Sequence, residues 1–86
     1  MKSINFDKNA QKQLNRIDLT TRCRIISGIA GLTEEPPQGD IKQLKGSLNG
    51  LSRLRVGSWR IIYEATDETI NILVISSRGG VYKKGV

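Results

Sequence analysis

Apolar residues change their spacing several times along the chain, and each change marks an element. Ile4 and Phe6 alternate with polar neighbours, so Lys2–Phe6 predicts a short strand. Behind Asp7, a residue suited to N-capping, Ala10, Leu14 and Ile17 recur at helical intervals and predict a helix over about Lys8–Arg16. Asp18 or Thr20 can cap a second helix, whose apolar stripe is Ile25, Ile26, Ile29 and Leu32. Gly28 and Gly31 weaken that helix, each by about 1 kcal/mol relative to Ala, or else mark the close approach of a neighbour. Cys23, near its start, reads as a small buried thiol.

The periodicity stops at Glu34-Glu35-Pro36-Pro37-Gln38-Gly39-Asp40, where paired prolines and a glycine predict a loop. The segment IKQLKGSLNG then leads toward a sheet, with Asn49-Gly50 as a turn signal. Three strands follow as a meander: Leu51–Val56, Ser58–Thr66 after a tight turn at Gly57, and Thr69–Ser77 after a turn at Asp67-Glu68. Val81 and Tyr82 fall in a last short strand or tail. The runs Ile61-Ile62 and Ile72-Leu73-Val74-Ile75 imply partial cover on both faces of the middle strands. The expected class is α+β, one domain over residues 1–86. Its N-terminal strand and two helices pack on a twisted antiparallel sheet of about four to five strands. The helices bury one sheet face and leave the other partly open, the natural place for a site.

Composition narrows the chemistry. The 86 residues contain no apolar run of about 18, so no membrane span is expected. The opening MKSINFDKNA has no apolar h-region, which predicts a cytoplasmic protein rather than a secreted one. A single cysteine precludes an intrachain disulfide, and the absence of histidine removes His/Cys zinc sites and every His-based catalytic scheme. No metal and no cofactor are expected.

The net charge of +6 is unevenly spread. Between Lys42 and Tyr63 stand Lys42, Lys45, Arg53, Arg55 and Arg60 without an acid, and Arg78, Lys83 and Lys84 lie in an acid-free C-terminal stretch. Glu34, Glu35 and Asp40 fall in the connection before the first basic block, and Asp67 and Glu68 in a turn. A basic half turned away from acidic loops suits a polyanion such as nucleic acid, although a charge of this size also serves solubility.

Strand alternation places Arg53 and Arg55 on one face and Leu54 and Val56 on the other. On the next strand Arg60, Ile62 and Glu64 alternate with Trp59, Ile61 and Tyr63, and Trp59 and Tyr63 read as core anchors. A tight turn at Gly57 would bring Arg55 and Arg60 together, with Arg78 and Tyr82 on the rim of the same pocket. Two readings fit. Glu64, the acid within the meander, can form an ordinary ion pair with these arginines. Alternatively the arginines form a phosphate clamp, since guanidinium forks onto phosphoryl oxygens with two hydrogen bonds. Metal-assisted DNA cleavage is disfavoured, because the basic half contains no compact Asp/Glu set.

The stretches "LKGSLNGLSRLRVGSWRIIYEA" and "INILVISSRGGVYKK" resemble the RelE/ParE superfamily of bacterial toxins from type II toxin–antitoxin modules. The likeness lies in Lys-x-Leu-x-Gly, then Leu-x-x-Leu-Arg-x-Gly-x-Trp-Arg-x-x-Tyr, then a hydrophobic strand ending in Arg and followed by Val-Tyr, and it spans essentially the whole chain. For the RelE-like branch the resemblance implies a ribosome-dependent mRNA endoribonuclease that inhibits translation. Arg60 would stabilise the scissile phosphate, Arg78 the leaving group, and Tyr82 would stack on the base and handle a proton. Arg53, Arg55, Lys42, Lys45, Lys83 and Lys84 would hold RNA. For the ParE-like branch it implies inhibition of DNA gyrase by protein contact, without nuclease chemistry. Either branch implies a cognate antitoxin as partner. The chain departs from RelE where two lysines stand on the first meander strand, here Leu51 and Arg53, and from homologues with His where this chain has Ser76-Ser77.

Overall fold

The computed structural model describes residues 2–46 and 50–77. Strand β1 (Ser3–Phe6) is followed by helices α1 (Lys8–Asn15) and α2 (Leu19–Gly31), and then by strands β2 (Asp40–Gln43), β3 (Ser52–Val56), β4 (Trp59–Ala65) and β5 (Thr69–Ser76). Both helices start where a carboxylate meets free backbone N–H groups. Asp7 accepts from the Asn9 amide at 3.2 Å and Asp18 from the Thr21 amide at 3.0 Å, which makes Asp18 rather than Thr20 the second cap. Those bonds from Thr21 hold the Asp18 carboxyl below its ordinary value.

The described strands form one sheet in the order β1-β5-β4-β3-β2. It is mixed rather than wholly antiparallel, because β1 runs parallel to β5, from Ser3 opposite Thr69 to Phe6 opposite Ile72. The helices carry the chain from β1 to the far edge, where β2 begins, and the meander then returns until β5 meets β1. This closing pair joins residues 66 apart, beyond the reach of any local pattern. Within IKQLKGSLNG, read as a lead-in, the first residues belong to β2, which pairs antiparallel with β3.

One sheet face is sealed by the helices. Ala10, Leu14, Ile17, Ile25, Ile29 and Leu32 meet Leu54, Ile61, Tyr63, Ile70, Ile72 and Ile75 in a common core. Gln13 fastens α1 to the sheet, its Oε1 accepting from the Ile75 amide at 2.9 Å. The two helix glycines mark close approach. A Cβ on Gly28 would stand 2.8 Å from Val56 Cγ2, and one on Gly31 would stand 3.2 Å from the Gln38 carbonyl oxygen.

Two expectations for α2 are corrected. Ile26 is 45% exposed rather than part of the buried stripe, and Cys23 is exposed rather than buried. With Leu19, they fall at helical intervals of four and three on the outward arc, while Ile25 and Ile29 take the inward one. No helix among the described residues is long and apolar enough to cross a membrane.

Candidate phosphate-binding face

The face without helices is where β2, β3 and β4 present their basic residues. Burial alternates along β3, with Leu54 1% exposed on the core side and Arg53 and Arg55 on the other. On β4, Ile61 and Tyr63 are buried in the core and Trp59 is partly buried against it, so the expected anchors lie on the helix side. Burial pushes the Tyr63 hydroxyl up from its ordinary value, partly offset by its hydrogen bond with Ser52. Arg60, Ile62 and Glu64 take the opposite face. The turn between β3 and β4 has only Gly57 and Ser58, with Gly57 at φ 62°, a backbone angle that suits glycine.

This tight turn sets a register that lines up two rows across the open face. The first runs Asp40, Arg55, Arg60, Ser76 over β2, β3, β4 and β5. The second runs Lys42, Arg53, Ile62, Val74. Arg55 and Arg60 are therefore direct cross-strand partners, with Cβ atoms about 5 Å apart. Like charges so placed repel, and the convergence expected from the sequence is present.

The counter-charge comes from an unexpected place. Arg55 Nε donates to Asp40 Oδ2 at 3.0 Å, and Arg53 Nη2 donates to Asp40 Oδ1 at 3.3 Å. Asp40 thus stands on the basic face and not in an acidic loop. Glu64, read as the arginines' acid, instead accepts from Asn71 Nδ2 at 3.3 Å, its register partner on β5. Glu64 lies four residues along the strand from Arg60, about 13 Å away along the backbone. The ion-pair reading is correct in kind, with Asp40 in the role given to Glu64. Arg60 makes no ion pair with any described acid.

Arg53 is the most enclosed of the three, its side chain 16% exposed and its Nε buried without a hydrogen-bond partner among the described residues. The Arg55 side chain is half exposed. Lys42 is exposed beside Arg53, and Lys45 is exposed just past the end of β2. Arg78, Tyr82, Lys83 and Lys84, together with the last short strand around Val81, lie outside the described residues. The residue that sequence reasoning missed is Asp40. Its signal was the alternation Asp40-Ile41-Lys42, in which Ile41 packs against the core and its two neighbours face out.

Comparisons with known proteins find a matching family and matching folds. Residues 4–82 match the family described as ParE toxin of type II toxin-antitoxin system, parDE. Among solved structures, the chain resembles one in the toxin–antitoxin complex RelBE2 of Mycobacterium tuberculosis, at a TM-score of 0.77 and 23% identity, covering 90% of this chain and 98% of that one. It also resembles a chain of the archaeal RelE–RelB complex of Pyrococcus horikoshii, at 0.74 and 28% identity, covering 91% and 96%. A chain of the RelB–RelE antitoxin–toxin complex of Methanococcus jannaschii gives 0.73 and 28%, covering 93% and 96%. No individually curated protein matches the chain in sequence.

Proposed function

The chain belongs to the ParE toxin family of type II toxin–antitoxin systems, and from that premise we propose that it inhibits translation by cleaving mRNA on the ribosome. The observation that carries this reading is the pairing of Arg55 with Arg60 on the open face, where Arg60 has no described acid as partner. Two adjacent guanidinium groups, one of them without an acid partner among the described residues, suit an RNA phosphate.

Cleavage by the neighbouring 2′-hydroxyl needs a proton acceptor, stabilisation of the charge growing on the phosphoryl oxygens, and help for the departing 5′ oxygen. Arg60, joined by Arg55, would take the second role. Arg78 is proposed to assist the leaving oxygen and Tyr82 to stack on the base and handle a proton, both from the family resemblance. Lys42, Arg53, Lys45, Lys83 and Lys84 would hold the strand electrostatically. The ribosome would align the substrate and so lower what the protein must contribute. A cognate antitoxin is the proposed second partner, its acidic groups relieving the same repulsion that RNA relieves.

The test is incubation of the purified chain with ribosomes carrying a defined mRNA. Discrete cuts at the codon in the A site are expected, falling by about 100-fold or more for Arg60→Ala, the usual scale for removing one donor to a developing oxyanion. Intact mRNA with a demonstrably folded protein would overturn the reading. A second reading, inhibition of DNA gyrase by protein contact, is favoured by the ParE description of the matched family and by Leu51 and Ser76-Ser77 where RelE-like relatives carry Lys or His. A supercoiling assay in which gyrase runs unimpeded would remove it.

A further inference from the structure

We propose that Asp40 is a positioning residue that acts as an internal stand-in for phosphate, holding Arg55 and Arg53 until a nucleic-acid strand anchored at Arg60 displaces it. The inference deepens the reading above and rests on its phosphate-binding face.

Asp40 is the first member of the row that continues through Arg55 and Arg60, and its two oxygens receive one guanidinium each. A phosphate monoanion offers similar oxygens to similar donors. The Asp40 and Arg55 side chains are both half exposed. Such pairs are weak and screened by salt, so an anion arriving from solvent can replace the carboxylate.

Asp40 and Arg60 stand two strands apart, about 10 Å. The carboxylate therefore occupies Arg55 and does not pair with Arg60. A strand that first docks a phosphate on Arg60 brings its next phosphates to Arg55 at high effective concentration. A single small anion has no such advantage. Asp40 thus lowers affinity for isolated anions and makes full engagement depend on a continuous strand.

Three consequences follow for binding of a short single-stranded RNA oligonucleotide, measured over a salt series. Asp40→Asn, which keeps the shape and removes the charge, should bind about 2- to 5-fold tighter at low salt, the gain expected from releasing the half-exposed Arg55 pair. The slope of log affinity against log salt should stay near that of the unaltered chain, because the displaced carboxylate leaves the same arginines on the same phosphates in both complexes. Glu68→Gln removes the same charge from the exposed turn between β4 and β5 and should leave both quantities near those of the unaltered chain. If Asp40→Asn binds no tighter than Glu68→Gln, or shows a steeper salt slope, the proposal is wrong. Asp40→Ser repeats the test with a different side chain, and the melting temperature of each variant shows that it is folded.

The unaltered protein supplies an independent readout. Its Arg55 Nε–H resonance in NMR should move as RNA is added and Asp40 releases it, and a resonance that stays in place contradicts the displacement. If instead Arg55→Ala and Arg60→Ala leave RNA affinity unchanged, the phosphate-binding reading itself fails, a result separable from failure of the Asp40 proposal.

Discussion

The two faces of the sheet are made from the same strands and diverge residue by residue. On β4, Ile61 is fully buried beneath the helices, while the adjacent Arg60 faces away from them and is opposed by another arginine. The helix side follows the logic of stability, with large aliphatic side chains, no charge and close helix–strand approach at Gly28. The open side places like charges opposite each other, which disfavours folding unless an acid or a ligand balances them. Asp40 balances two of the three arginines. A sheet that only had to fold has no need of that arrangement, and the contrast separates the residues that hold the molecule from those proposed to act.

Substituting neighbours on opposite faces breaks the comparison most sharply. Ile61→Ala should lower unfolding free energy by about 2–5 kcal/mol in urea titration, through lost burial and a residual cavity. Arg60→Ala should change stability by no more than about 0.5 kcal/mol while removing activity. Equal destabilisation by the two would show that the open face is structural.

A smaller effect probes how the helix layer meets the sheet. Gly28→Val places methyl groups where even a Cβ would stand 2.8 Å from Val56. Overpacking of this kind should cost about 1–3 kcal/mol, read as a lower melting temperature. An unchanged melting temperature would mean that α2 and β3 are not in close contact.

The smallest expected effect is on pH dependence, and it belongs to the helix side. Burial raises the Tyr63 hydroxyl above its unfolded value, so its contribution is complete below about pH 10 and is lost as pH rises toward and through the folded value. Tyr63→Phe should therefore flatten the alkaline decline in stability seen in denaturant titrations. A decline that is identical in the variant would assign it to other groups.

Much of this contrast was legible in the sequence, because period-two alternation and helical spacing report which side of an element is buried. They placed Leu54 and Ile61 inward and Arg53, Arg55 and Arg60 outward, and Gly57 supplied the turn that makes Arg55 and Arg60 partners. What escaped depends on pairing between distant segments. The parallel match of β1 with β5 leaves no local trace, and neither does the register that sets Asp40 opposite Arg55. Asp40 stood beside Glu34, Glu35 and two prolines, so its neighbours in sequence suggested a loop although its neighbours in space are arginines. On α2, apolar residues occur on both arcs, and packing alone decided that Ile25 and Ile29 turn inward while Cys23 and Ile26 face out.

The central claim, that the open arginine face acts on RNA, is tested most directly by primer-extension mapping of transcripts after brief induction of the chain and of Arg60→Ala. The account predicts discrete breaks within translated frames for the unaltered chain, and their disappearance in Arg60→Ala at equal protein level. Growth arrest that persists in Arg60→Ala, with transcripts intact in both, would contradict it.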